Sequence, residues 1–339
     1  MPAILVHEYV TGGGWPDATP PALGAEAHAM LRAVLRDFRA WGQFPVVTTH
    51  DRRLTAADLP ADEVVSLDGE AYPGALLELA GRCAATLLIA PESGGVHERL
   101  AALLHEAGAT LLGSLPHGVA VAADKWTCGR RLAEAGLPVP ESRQVEPAAA
   151  VDAARDLGFP LVVKPVRGAG CQGVVFVPDM ASLAAALAQD GLCDAEAVLL
   201  QRYVPGSPVS VSLLVAGGRS LPLGLNRQDV RRGTPFVYGG GVAGIGHERR
   251  DEAFALAARA VAAISGLRGY VGVDMVLGDS GCTLIEVNPR LTTSYVGLRR
   301  VVDLNIARAV WGACVHGNLP VAVTAGAAAA FTTEGCGER

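Results

Sequence analysis

Lysine is almost missing from this 339-residue chain: of its 28 lysines and arginines, all but Lys125 and Lys164 are arginine. Aromatic residues make up only 5% and charged residues 18%. No uninterrupted apolar run reaches the roughly 18 residues that a membrane-crossing helix needs. The mean hydropathy of +0.31 therefore comes from Ala, Val and Leu spread through amphipathic segments. There is no basic run beyond Arg-Arg pairs and the net charge is −6, which argues against nucleic acid as the main partner. The seven cysteines form no C-x-x-C pair, so reduced thiols are expected rather than a disulfide framework or a zinc site. The opening MPAILVHEYV lacks the basic stretch of a secretory leader, and the expected location is the cytoplasm, without membrane contact. What the chain does have is a half-hydrophobic composition and a length that suits two or three lobes.

Residues 1–115 alternate strand and helix. Apolar runs at 4–10, 46–49, 64–67, 86–90 and 110–113 are separated by helical patterns at 23–41, 73–83 and 96–107. Runs so continuously apolar predict a parallel sheet covered on both faces. Ligands collect at loops beyond the strand carboxyl ends of such sheets, which puts 11–14 and 91–95 on the working edge. From 116 to 320 the pattern becomes α+β. A helix over 118–135 leads to two hairpins, 161–166 with 173–177 and 270–277 with 282–287. Helices are expected at 180–189, 251–265 and 301–315, and further strands at 198–204 and 209–215. The predicted fold class is an α/β parallel-sheet domain at 1–115 followed by a two-lobed α+β domain at 116–320. Its small lobe covers about 140–204 and its larger lobe about 205–320, and the small-residue tail at 321–339 is expected to be loosely held.

Gly168-Ala169-Gly170-Cys171-Gln172-Gly173 has the G-x-G-x-x-G spacing of dinucleotide folds, but a helix should follow and a strand follows instead. The acidic residue such a fold needs on a later strand is also missing, Asp190 lying at a helix end. A glycine loop between antiparallel strands either is a plain turn or folds its N–H groups over a polyphosphate. Lys164, in Leu161-Val162-Val163-Lys164-Pro165, favours the second reading, because an ammonium in an apolar strand needs an anion unless it points out at an edge. Lys125, after Asp124 at the start of a helical turn, supplies a second ammonium. Lysine is a compact point charge that fits a closed phosphate pocket where a guanidinium fork is too wide. The second hairpin carries Asp274 on one strand and Glu286 and Asn288 on the other. Glu286 and Asn288 are two apart and share a face. Two carboxylates and an amide oxygen there make a hard-cation site suited to Mg²⁺ or Mn²⁺, with two ions expected, unless they are exposed edge acids. Cys171 has no neighbouring His and reads as a small loop residue, not a nucleophile.

The order Lys125, Lys164, glycine loop, Gln201-Arg202-Tyr203-Val204, Asp274, Glu286, Asn288, Arg290 resembles the ATP-grasp superfamily of carboxylate–amine ligases over about residues 115–315. The resemblance implies ATP between two α+β lobes. Lys125 and Lys164 would be its phosphate lysines, Gly168, Gly170 and Gly173 its flap, and Gln201, Arg202, Tyr203 and Val204 the hinge against adenine. Asp274, Glu286 and Asn288 would be metal ligands, and Arg290 would steady the reacting acyl centre beside Lys164. Pro208 stands where relatives often carry a ribose-binding Glu, so no ribose residue is assigned.

A closer resemblance is to the tyramine–glutamate ligase group of methanofuran-type coenzyme synthesis. It rests on residues 4–14, on Ala90-Pro91-Glu92-Ser93-Gly94-Gly95, and on Leu225-Asn226-Arg227-Gln228 with Tyr238-Gly239-Gly240-Gly241. It implies ATP-driven joining of the γ-carboxylate of glutamate to tyramine or a tyrosine-like amine through an acyl phosphate. Arg227, Arg231 or Arg232 could clamp a carboxylate, Glu8 or Glu92 could meet an ammonium, and Tyr238 or Tyr295 could line an aromatic slot. Each also reads as an ordinary surface charge or core ring. The alternatives are a ligase with other amino-acid or coenzyme substrates, a small-molecule kinase on the same scaffold, or a non-catalytic nucleotide binder. Oligomeric state is left open.

Overall fold

The structure is a computed structural model that describes all residues except 1, 56–57, 68, 70, 190–191, 193–194 and 334–339. Asp190 and the last six residues of the tail thus lie outside the described residues. Strands Ile4–Glu8, Val46–Asp51, Glu63–Leu67 and Ala85–Ile89 form a four-stranded parallel sheet, with Ile4–Glu8 between Val46–Asp51 and Ala85–Ile89. Every residue of Ile4–Glu8 is buried, as a strand covered on both faces must be. Helix Pro21–Trp41 starts with proline in its first turn and ends at Gly42 in the left-handed conformation. The strand expected at 110–113 contributes one parallel bridge, Thr86 to Leu111.

The helix expected over 118–135 is two helices, Pro116–Ala123 and Lys125–Glu134. Asp124 breaks them by adopting an extended backbone, and its carboxylate accepts the Thr127 N–H at 2.8 Å. A short acidic side chain competes with the helix ladder and caps the next helix instead. Lys125 consequently becomes the first residue of a new helix.

The small lobe is an antiparallel sheet in the order Ser142–Val145, Val198–Arg202, Leu161–Pro165, Val175–Val177. Helices Ala150–Leu157 and Met180–Leu187 give it a core of its own, including Leu157, Leu161, Val163, Leu183 and Leu200. The larger sheet has six strands, in the order Gly281–Asn288, Gly269–Gly278, Ser207–Ala216, Arg219–Arg231, Val237–Ala243, Ala329–Phe331. The sequence does not foretell Arg219–Arg231 or Val237–Ala243. Pro222 and Gly224 interrupt the alternation of the first, where the ladder shifts register, and glycines dilute the second. The tail is not loose at Ala329–Phe331, which pairs with Val237–Ala243 as an edge strand and buries Phe331. The last helix begins only at Ile306, where Asn305 accepts the Arg308 N–H, and a separate short helix covers Ser294–Leu298.

Alternation along Ser207–Ala216 assigns the faces of the large sheet. Val209, Val211, Leu213 and Val215 pack with residues of helices Arg250–Ala262 and Lys125–Glu134. On the opposite face, Leu214, Tyr270 and Tyr295 share one core with Ile4, Leu31 and Phe38 of the parallel-sheet domain. The first domain and the large lobe are therefore fused, whereas the small lobe is packed separately. No helix among the described residues is long and apolar enough to cross a membrane.

Candidate functional site

Residues of both antiparallel sheets line a cleft of about 420 Å³. It collects Lys125, Lys164, Gly168, Gly170, Gln201–Val204, Asp274, Glu286, Asn288 and Arg290, which are scattered over about half of the chain. Gly173 is set back from the cleft, at φ +66°, where a Cβ would lie 3.0 Å from Pro165.

The strand Leu161–Pro165 turns the Lys164 side chain inward, and the residue is 3% exposed. Its Nζ donates to Oε1 of Gln201 on the adjacent strand at 2.9 Å. Gln201 in turn donates from Nε2 to Ser142 Oγ at 3.1 Å. A neutral amide positions this ammonium without cancelling its charge, and burial pulls its pKa down to about 8. Lys125 is arranged differently. Its Nζ lies 2.7 Å from Glu286 Oε2 and donates to the Gly168 carbonyl at 2.9 Å. Burial works against this charge, but Glu286 outweighs it and holds the pKa above the ordinary lysine value. In the glycine loop, the Gln172 and Val174 amides donate to the carbonyls of Ala169 and Cys171. Among the described residues, the amides of Gly170, Cys171 and Gly173 meet no protein acceptor, as a phosphate-gripping loop requires. Cys171 sits in the left-handed region at φ 64°, and burial pushes its thiol up to about 12, so it is no thiolate nucleophile.

Across the cleft, Asp274 and Glu286 are direct cross-strand partners. The register shifts beside them, between Asp274 and Met275, so the bulge turns both Ile285 and Glu286 toward the cleft. Asn288 donates from Nδ2 to Asp274 Oδ2 at 3.0 Å, and Gln228 donates to Asp274 Oδ1 at 3.0 Å. Burial and the neighbouring Glu286 charge raise the Asp274 pKa. Burial would raise Glu286 too, but Lys125 and Lys164 bring it below the usual carboxylate range. Two carboxylates and an amide on adjoining strands fit a hard divalent cation whose remaining positions go to phosphate oxygens and water. Among the described residues there is no cluster of three or more His, Cys, Asp or Glu side chains that would make a self-sufficient metal cage.

Several expected substrate residues have other work. Glu92 does not wait for an ammonium: it takes Arg290 Nε and Nη2 in a two-point pair at 2.8 Å each. The pair is buried, and although burial opposes both charges, each stabilises the other. Glu8 is buried outside the cleft, where it accepts from the Val10 and Thr11 amides and the Thr11 hydroxyl. Arg227 and Arg231 are exposed away from the cleft, Arg231 lying 3.5 Å from Asp229. Arg232 lines the cleft beside Tyr203, with its guanidinium 4.4 Å from the Phe176 ring centroid and 5.0 Å from that of Tyr203. It also donates to the Tyr203 hydroxyl at 2.8 Å. Arg202 points out of the hinge to the Leu157 carbonyl at 2.6 Å. Tyr295 is wholly buried with its hydroxyl on Asp37, whereas Tyr238 does line the cleft. Pro208 lines the hinge end. The sequence reading passed over Gln228, Glu26 and Thr293, all of which line the cleft. Alternation would have found Gln228, since Arg227 and Gln228 face opposite ways once a strand is recognised there.

Comparison with known proteins identifies the family. A family model described as an ATP-grasp domain matches residues 122–294, and one described as a pre ATP-grasp domain matches residues 44–119. A tyramine–L-glutamate ligase of Methanocaldococcus jannaschii is 46% identical over 105 residues, 31% of this chain and 32% of that protein. The alignment thus spans about a third of that ligase. A D-alanine–D-alanine ligase of Stutzerimonas stutzeri is 32% identical over 212 residues, 58% of this chain and 64% of that protein. Among solved structures, an ATP-grasp superfamily protein of Archaeoglobus fulgidus superposes with a TM-score of 0.70 at 24% identity, covering 92% of this chain and 88% of the other. That likeness speaks for the fold.

Proposed function

This chain belongs to the ATP-grasp family, and we propose that it is an ATP-dependent carboxylate–amine ligase. It activates the γ-carboxylate of glutamate as an acyl phosphate and joins it to tyramine or a similar aromatic amine, with release of ADP and phosphate. The observation that carries the reading is Lys164: a buried ammonium whose hydrogen bond goes to a neutral amide, facing the Glu286 hairpin and a loop of unsatisfied amides. Such a charge is costly to bury unless an anion completes it. The sequence match to tyramine–L-glutamate ligase supports the choice of substrates.

A carboxylate is a poor electrophile at neutral pH, so its oxygen must first take the γ-phosphoryl group. Lys125, Lys164 and the amides of the glycine loop neutralise the triphosphate and favour the charge arrangement of transfer. Asp274, Glu286 and Asn288 would hold Mg²⁺ or Mn²⁺, which when bound offsets further phosphate charge. Arg290, fixed by Glu92 in one orientation, turns its remaining N–H groups to the oxyanion formed as the amine attacks. The new C–N bond then displaces phosphate as the nitrogen gives up a proton. The hairpin 161–177 belongs to a separately packed lobe, so it can close over the cleft and keep water from the acyl phosphate.

ADP release is the deciding measurement, screened over amines with glutamate present. The ligase reading expects turnover to depend on both substrates and an amide of the combined mass. ADP made without any amine, together with a stable phosphorylated product, would replace it with a kinase.

A further inference from the structure

Beyond the lysines, the cleft reaches a wall built partly by the first domain. Glu26, on helix Pro21–Trp41, lines this part together with Tyr238, Thr292, Thr293 and Ser294. Its Oε1 accepts a hydrogen bond from the Thr293 hydroxyl. Tyr238 stays a neutral hydroxyl, because burial and then the Glu26 charge push its pKa upward. Among the described residues, no cleft cation forms an ion pair with Glu26: Lys125 pairs with Glu286, Arg290 pairs with Glu92, and Lys164 donates to the neutral Gln201 amide. Arg232 rests on two rings and Arg202 on a backbone carbonyl. Among the described residues, Glu26 is thus a cleft carboxylate with a hydroxyl partner and no ion pair.

We propose that Glu26 is a specificity residue that receives the ammonium group of a substrate. A half-buried carboxylate beside hydroxyl groups favours a cation with several N–H donors and disfavours a second carboxylate. The inference rests on the ligase reading above, in which two groups carry that chemistry: the α-ammonium of glutamate and the ammonium of the acceptor amine. Because Glu26 comes from the parallel-sheet domain, it also gives that domain a direct contact with substrate.

The test is Glu26→Gln, which keeps an oxygen for the Thr293 hydroxyl and removes only the charge. Two assays are run on it. One measures KM for tyramine in amide formation. The other replaces tyramine by hydroxylamine, which is small and uncharged at neutral pH, and measures KM for glutamate in hydroxamate formation. The expected result is a rise of at least tenfold in one of these constants, with KM for ATP within twofold of wild type. A rise for tyramine alone assigns the acceptor ammonium, and a rise for glutamate in the hydroxylamine assay assigns the α-ammonium. Unchanged constants, or an equal rise for ATP, overturn the proposal. A wild-type enzyme inactive on glutamate sinks the glutamate reading alone. Glu26→Gln is then compared on whatever substrates the ADP screen returns, and a substrate pair without an ammonium group overturns the role of Glu26.

Discussion

At the scale of single residues, Lys164 is in tension between stability and activity. Its ammonium is desolvated in the free protein and completed only by an anion, so removing it should stabilise the fold while destroying the chemistry. Lys164→Met is expected to lower ADP release by about 10²–10³ and to raise unfolding free energy by about 1–3 kcal/mol; activity and denaturant titrations check both. The same group sets a pH dependence. In the folded protein it titrates at about 8, against 10.5 for an ordinary lysine. Between those values the unfolded chain binds more protons, so stability climbs as pH rises from 8 toward 10.5 and the buried ammonium discharges. Activity runs the other way: kcat/KM for ATP should fall above pH 8, because the discharged amine no longer attracts phosphate. Lys164→Arg should lose that alkaline limb, having no proton to give up in this range, and should stay slow because a planar fork replaces a point charge. A wild-type profile flat to pH 10 would contradict the environment described for this lysine.

At the scale of elements, the break at Asp124 decides where Lys125 points. Asp124→Ala removes a helix cap and should cost about 1 kcal/mol. It should also raise KM for ATP several-fold by loosening the residue that follows; thermal unfolding and steady-state kinetics on one preparation separate these effects. That break shows what the sequence did and did not disclose. Lys125 was legible as the start of a helical turn, but residues that favour helix on both sides of Asp124 conceal the interruption. The two hairpins were legible because short glycine turns separate β-branched runs, and with them came Lys164, Asp274, Glu286 and Asn288. Arg219–Arg231 was not, since Pro222 and Gly224 blur its alternation. Without that strand there was no reason to choose Gln228 over Arg227, and the exposed arginine looked like the binding group. The Glu92–Arg290 pair was hidden, because partners 198 residues apart have no local signature. Glu26 was invisible for the same reason: one acid on an amphipathic helix says nothing about the cleft beneath it.

At the scale of the whole molecule, the Glu92–Arg290 pair joins the parallel-sheet domain to the end of the large sheet, over a core that both share. Both partners are buried, Glu92 at 5% and Arg290 at 13% side-chain exposure. Removing one therefore strands the other charge in a place water does not reach. Glu92→Ala is expected to cost about 3–5 kcal/mol, whereas removing both charges, as in Glu92→Ala with Arg290→Met, should restore much of the loss. Because one core runs through both units, the destabilisation should lower the unfolding midpoint of the first domain and the large lobe together. The small lobe, packed on Leu161, Leu183 and Leu200, should keep its own local stability. Hydrogen exchange read segment by segment tests this. Faster exchange in the Ile4–Glu8 and Gly269–Gly278 strands alike, with Leu161–Pro165 unchanged, is the pattern of a fused body carrying a separate lid. Faster exchange confined to the parallel sheet would mean that the first domain stands alone, and the ion pair would then be a local contact with no hold on the catalytic sheet.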